Sequence, residues 1–491
     1  MPSSAPPPDL AATGLPPAGT DAAPAPPDRL DAPLIRLILV LVLGGLMALF
    51  DATIVNVGMR TLGEHFDAPL HTVEWAATGY LLACAVSGPA ALWAVDRFGG
   101  RRVWLLGLVV FTTTSVLAAL SWSVGALIVF RILQGLGGGM LEPVMLTLVA
   151  RAAGPARAGR AMAAISLPIT LGPALGPILG AVILDALPWQ WMFLVNLPLG
   201  IVATVLALRF VPADGDRFAD GGRARFDARG LALLAPGFGL LLFGLSHAAG
   251  GGGFGSSPVV AALAGGVFLV GCYVAHALRM GDGAIIDVRL FASRGYAASV
   301  VVMSTVGAMV FPLLYLVPLY YQQARGESVL SAGLLLAPLG LGAMIGMPIG
   351  GRLSDRVGAR PLVPAGATVV GLVMVVFATA DADTPTWLLA AATLVVGAGL
   401  GFVGAPTMSS IYRTVPPASV SSASGAVMVL NQIGGSFGIA IVTVLVQQGI
   451  DDGKTSAAYT GAFWWVVAAA AVVTVAAATS LPGRPDRAPA R

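Results

Sequence analysis

The chain has 491 residues, of which 57% are hydrophobic and only 10% charged, and its mean hydropathy is +0.86. A chain of this length with so little polar material cannot cover itself against water, which excludes a soluble globular protein and leaves an integral membrane protein. Its 27 basic and 24 acidic residues give a net charge of +3, and the basic ones are scattered between apolar runs, so membrane orientation explains them better than nucleic acid does.

In chain order, residues 1–33 are rich in Pro and Ala and read as a disordered cytoplasmic tail. No short cationic segment with a cleavage site precedes the first apolar run, so that run is expected to be kept as a span. Fourteen apolar runs follow. The first six, near 34–58, 72–95, 103–122, 124–150, 161–185 and 190–210, make an expected six-helix bundle over 34–210. Runs at 230–247 and 259–279 are two inserted helices within a linker, 211–294. The last six, near 295–320, 331–350, 362–380, 386–410, 422–447 and 460–481, make a second six-helix bundle over 295–481, and 482–491 is a cytoplasmic tail. The runs are too long for barrel strands and lack period-two alternation, so the expected fold class is an all-α membrane protein with fourteen transmembrane helices.

Arginine sets the orientation. With the N-terminus inside, the even-numbered loops and both tails hold 23 of the 27 basic residues, while the opposite loops hold only Arg60, Arg325 and Lys454. That asymmetry puts both termini in the cytoplasm of a multi-pass protein of the cell membrane. Seven of the nine tryptophans fall near the outer interface, leaving Trp93 and Trp104 near the inner one. Cys84 and Cys272 lie in different apolar runs and imply no disulfide framework.

The chain also repeats itself. DRFGGRR (96–102) follows span 2 and DRVGAR (355–360) follows span 10; GLGGGMLEP ends at Pro143 on span 4 and GLGFVGAP at Pro406 on span 12. Each match is offset by eight spans, which suits two bundles that rock about a midplane site.

An ionisable residue inside a span costs on the order of 2.5–3.5 kcal/mol, so it is functional by default. Asp51 in span 1 and Arg131 in span 4 fall at similar depth and are expected to face one another. Glu142 shares the helix face of Arg131 about 16 Å nearer the cytoplasm, so both charges are expected to line one cavity. Asp51, Arg131 and Glu142 are the proton-coupling candidates. Two plainer readings stand beside this: the first pair as a static brace, and Glu142 as a group reaching for the inner headgroups. Asn56, Gln134, Asn196 and Asn431 are intramembrane amides, and Tyr80, Tyr315 and Met140 are apolar surfaces for a flat ligand. These seven are the substrate-cavity candidates, although interhelical hydrogen bonds and core packing are the commoner roles of such residues.

These motifs resemble the major facilitator superfamily, and within it the fourteen-span drug:proton antiporters that include the permease subunits of tripartite pumps. LFDATIVNVG (49–58) is similar to the first-helix motif. LWAVDRFGGRR (92–102) is similar to the loop motif between helices 2 and 3, with Leu92 in place of a glycine that the second copy, GRLSDRVGAR (351–360), keeps. RILQGLGGG (131–139) matches the fourth-helix motif. GPALGPILGA (172–181) resembles the antiporter motif of helix 5, carried by Gly172, Pro173, Gly176, Pro177 and Gly180, with Ala181 in place of a final glycine. WQWMFLVNLP (189–198) is the stretch most particular to the subfamily.

The resemblance implies a conformational latch on the cytoplasmic rim from Asp96, Arg97, Arg101, Asp355, Arg356 and Arg360. It also implies a proton-coupled antiporter that exports lipophilic, cationic drugs by alternating access, with exporters of one endogenous metabolite or antibiotic as the alternative. Small molecules, protons and the lipid bilayer are the expected partners. A periplasmic adaptor protein belongs to the tripartite relatives, but here the loop between spans 13 and 14 offers it little to hold. Glu142 departs from the family, which usually has an apolar residue there. No zinc or phosphate-binding pattern occurs and the four histidines are unclustered, so no cofactor and no enzymatic reaction are expected.

Overall fold

The computed structural model describes residues 31–213, 227–248, 254–381, 383–415, 420–451 and 455–481. Both expected tails therefore lie almost wholly outside the described residues, as does the central part of the linker. So do the side chains of Pro173 and Asp355. Every regular element among the described residues is helical. Among the described residues, twelve helices are long and apolar enough to cross a membrane, or thirteen when the bent pair Leu70–Gly88 and Ala90–Phe98 is taken as one span. The bend of 41° falls between Gly88 and Ala90.

The first group comprises α1 (Ala32–Val57), α2 (Met59–Phe66), α3 (Leu70–Val73), α4 (Trp75–Phe98), α5 (Gly100–Ala119), α6 (Val124–Ala186), α7 (Trp191–Leu194) and α8 (Asn196–Phe210). Next come α9 (Ala228–His247) and α10 (Ser257–Met280), and then α11 (Arg294–Leu319), α12 (Val329–Val357), α13 (Ala359–Ala378), α14 (Thr386–Thr414), α15 (Val420–Asp451) and α16 (Thr455–Ser480). The 63 residues of α6 would reach about 95 Å if straight, three times a bilayer core. Gly154, at φ 67° and ψ 170°, turns the chain back, so spans 4 and 5 are the two legs of one element. Without a Cβ, Gly154 takes that angle freely.

Packing follows the internal repeat. α1 lies on the second leg of α6 as α11 lies on α15; α4 lies on α6 as α12 lies on α14; α5 contacts α6 and α8 as α13 contacts α14 and α16. The loop motif repeats in geometry too. Gly99 and Gly358, each three residues after the motif aspartate, take φ of 95° and 84°. Arg101 donates to the carbonyl of Leu208, near the end of α8. Arg360 donates to Ala478, near the end of α16, at 3.2 Å. In both halves a motif arginine satisfies a carbonyl of the last helix that the helix itself leaves open.

The α9–α10 hairpin packs against α15 and α4, at the seam between the two groups. Leu234, Tyr273, Ala277 and Ile286 meet Ala85, Ala426, Val429 and Ile433 there in a common apolar cluster. At the end of the molecule that carries Arg60, the two groups also touch directly. Gln322, in a π-helical turn Tyr320–Ala324, donates to the carbonyl of Val57 at 3.2 Å, and Ser436 donates to Thr78 at 3.4 Å.

Glycine makes the close approaches. A Cβ on Gly172, Gly176 or Gly180 would stand 2.0 Å from Leu49, 1.9 Å from Thr53 and 2.8 Å from Ile54 respectively, so this face of α6 meets α1 by bare backbone. Gly176→Leu is expected to cost more than the about 1–3 kcal/mol usual for overpacking, read as a lower Tm in detergent and lost insertion. Gly461→Leu, on an open face of α16, should leave the Tm within error. Equal effects would remove close packing as the reason for the span 5 glycines.

Candidate functional site

Asp51 and Arg131 do face one another. Both are fully buried, and Arg131 Nη1 donates to Asp51 Oδ2. The same nitrogen donates to Gln134 Oε1 at 2.8 Å, while Nε donates to the carbonyl of Ala76 at 2.8 Å. On the other carboxylate oxygen, Oδ1 accepts from Gln134 Nε2 at 2.9 Å and from Asn196 Nδ2 at 2.8 Å. Asn196 is also 3.1 Å from the hydroxyl of Ser115. The guanidinium lies 4.1 Å from the centroid of the Tyr80 ring, and Tyr80 donates its hydroxyl to Ala48 at 3.0 Å.

Helix periodicity explains the assembly. Arg131 and Gln134 are three residues apart on one face of α6, and Asn196 opens α8 where WQWMFLVNLP turns inward. Trp189 of that stretch packs on His65 and Phe66 at 5.2 and 5.4 Å between ring centroids. Gln134 and Asn196, read from sequence as cavity residues, are thus donors to Asp51. An amide at bonding distance of a buried carboxylate satisfies it more directly than it would a ligand. Every oxygen and charge of the pair is matched, which is what makes an ion pair tolerable away from water.

A separate cavity of about 230 Å³ lies next to this cluster. Its wall includes Gly45, Tyr80, Glu142, Phe311, Asn431 and Gln432. Glu142 therefore lines it, but Arg131 is not part of the wall, so the expectation that both charges line one cavity fails. Arg131 is held away by Asp51, Gln134 and Ala76. Of the seven cavity candidates, Tyr80 and Asn431 are on the wall. Tyr315 is buried instead and accepts from Thr443 at 3.1 Å. Met140 packs against the core, and Asn56 is buried with both amide atoms unpartnered.

The carboxylate of Glu142 has no hydrogen-bond or ionic partner among the described residues. Gln432 also presents a buried, unpartnered carbonyl oxygen, Oε1, whereas Asn431 donates to the carbonyl of Met303 at 2.7 Å. Gln432 is not among the seven cavity candidates. Its position next to Asn431 was legible, but its direction into the cavity was not.

On the rim, Asp96 pairs with Arg151 at 2.7 Å. The two side chains are 55% and 44% exposed, which caps their pair at about 0–1 kcal/mol. Arg151 was not among the latch candidates; it reaches Asp96 from the end of the first leg of α6. Arg97 and Arg356 are exposed in the last turns of α4 and α12. Arg101 and Arg360 bind within their own groups, as described above. Nearby, Asp31 caps α1 and meets Arg157 at 3.1 Å, and that guanidinium holds its carboxyl below the usual carboxylate range.

The model of the Major Facilitator Superfamily matches residues 41–439. The chain belongs to the Major Facilitator Superfamily. Its relatives include drug-resistance proteins: it is 38% identical over 422 residues to the multidrug resistance protein B homolog of Mycobacterium tuberculosis, over 86% of this chain and 77% of that one. It is 30% identical over 420 residues to the tetracenomycin C resistance and export protein of Streptomyces glaucescens, over 84% and 76% of the two chains. The xylose transporter XylE from E. coli, in a partially occluded inward open conformation, aligns with a TM-score of 0.65 and 16% identity, over 92% of this chain and 99% of that one. That likeness shows the fold alone. This major facilitator is a multi-pass membrane transport protein of the drug-efflux family and not an enzyme.

Arg131→Met leaves Asp51 buried without its cation and is expected to cost about 3–5 kcal/mol, seen as a large fall in Tm. Adding Asp51→Leu should recover most of that loss. A double variant no more stable than the single one would rule out the uncompensated charge as the cause.

Proposed function

We propose that this major facilitator is a proton-coupled antiporter that exports lipophilic, cationic compounds from the cytoplasm. The single observation behind the reading is the Glu142 carboxylate in an apolar-walled cavity that supplies it with no cation. Together with Gln432 Oε1 it leaves a pair of acceptors without protein donors, the complement of a positively charged ligand. A volume of about 230 Å³ is below the about 300–1,000 Å³ of most small-molecule sites, so a drug-sized ligand needs the bundles to part.

In this reading the protein has fourteen spans, with both termini cytoplasmic. The second leg of α6 completes the count, and the Arg60 end is the outer one. The outer contacts between the groups are then closed and the cavity is served from the cytoplasm. Glu142 exchanges its proton for the cation, the bundles rock, and the cation leaves as a proton returns from outside. Inward proton movement supplies about 2.3 kcal/mol per charge for each 100 mV. Asp51 and Arg131 join in by changing partners as the bundles move, and the Asp96–Arg151 pair biases which end is closed. The tetracenomycin relative favours a second reading, an exporter of one defined antibiotic. Resistance to a broad panel of unrelated toxic compounds, lost with a protonophore, would favour the first reading, and protection against a single compound the second.

Glu142→Gln is expected to lower export of a permanently cationic dye at least tenfold while lowering export of a neutral substrate much less. Glu142→Asp should recover part of the difference. Equal losses for both substrates would move Glu142 to general coupling or folding, and no loss for either would end its role. Asp96→Ala should lower transport several-fold without changing which compounds are recognised. Side-chain labelling that shows an unchanged balance of inward and outward forms would dismiss the rim pair as a bias.

A further inference from the structure

Glu74 immediately precedes α4 at the Arg60 end, and its side chain is buried, with only 1% of the residue exposed. Its Oε2 has no hydrogen-bond partner. The polar side chains beside it are Thr443 of α15 and Ser246 of α9, so this one carboxyl sits where the first group, the inserted hairpin and the second group meet. Each neighbouring hydroxyl has a further partner. Thr443 Oγ1 donates to Tyr315 Oη at 3.1 Å. Ser246 Oγ donates to the carbonyl of His71 at 2.9 Å and accepts from the indole of Trp75 at 2.9 Å. The side chains beside Glu74 are thus hydroxyls, and it makes no ion pair among the described residues.

The charged and titratable groups on the packed elements do not change this. Arg131 of α6 is bound to Asp51 and to the carbonyl of Ala76. His71 meets the cluster through its carbonyl. His247 of α9 is exposed and stacks on Phe243 at 5.5 Å between ring centroids. Tyr315 of α11 accepts from Thr443, and Tyr459 of α16 lies beyond it. An ionised carboxylate buried without a cation is costly, whereas a protonated one gains an O–H donor that a neighbouring lone pair accepts.

We propose that Glu74 is a second proton site, an outer latch that carries a proton when the two bundles close on it and releases that proton when they part and water reaches it. The proposal rests on the alternating-access reading above and adds to it a site far from the central cavity. The sign follows from linkage. The closed form binds one more proton than the open form, so acid favours closure and alkali favours opening, by up to about tenfold in the open-to-closed ratio per pH unit. Thr443, Ser246 and Tyr315 are then the groups that receive the protonated carboxyl, and the seam needs no basic residue to close.

The test uses the full chain in lipid nanodiscs, with Cys84→Ala and Cys272→Ala, and spin labels on Glu64→Cys and Asp383→Cys, both exposed at the Arg60 end. Distance distributions are recorded from pH 5 to pH 8, with and without tetraphenylphosphonium. The expected result is a wild-type shift from short to long distances as pH rises. Glu74→Gln should hold the short distance throughout, and Glu74→Asp should restore the pH response. A Glu74→Gln protein that keeps the wild-type response overturns the proposal, as does a flat response in Glu74→Asp. A wild type that moves with tetraphenylphosphonium but not with pH also overturns the latch, and it leaves the exporter reading standing. Labels that move with neither would bring down alternating access itself.

Discussion

The structure of the first bundle depends on the burial of Asp51 against Arg131. Two unit charges without water are tolerable only when every oxygen and N–H is matched, and that demand draws in Gln134, Asn196 and the carbonyl of Ala76. Through those contacts α1, α4, α6 and α8 are tied at one depth. Glycine is the second half of the same constraint, because the polar atoms can meet only if the helices approach closely. Gly176 against Thr53, and Gly138 with its absent Cβ 2.6 Å from the Tyr80 hydroxyl, remove the bulk that would hold them apart.

Against that saturated cluster, the remaining carboxylates stand out by what they lack. Glu142 faces the cavity without a cation, and Glu74 is buried at the seam with one carboxylate oxygen unpartnered. A matched ion pair is held by its own partners, whereas an unmatched carboxyl responds to whatever reaches it, a proton or a cation. The three acidic groups thus differ in their surroundings: one paired, one facing the cavity, and one at the contact between bundles. The inserted hairpin joins this arrangement through Ser246, so it does more than lengthen the chain.

Composition and periodicity alone determined that this is a helical membrane protein with an internal repeat, because crossing a bilayer forces long apolar helices and leaves charges rare enough to notice. Asp51 and Arg131 were legible as partners because their depths along two antiparallel spans can be counted from the sequence. The DRFGG and DRVGA copies were legible as equivalents, and the φ angles of Gly99 and Gly358 agree. Residue counting does not give direction around a helix to better than a broad face. Gln134 and Asn196 therefore looked like cavity residues and proved to be ligands of Asp51. Glu142 was placed on the face of Arg131, yet only Glu142 reaches the cavity. Arg151 as the partner of Asp96, the reversal at Gly154 and the enclosure of Glu74 by Thr443 and Ser246 join residues brought together by helix packing. Those contacts are set by side-chain volume and hydrogen-bond matching between distant segments, and only the tertiary structure decided them.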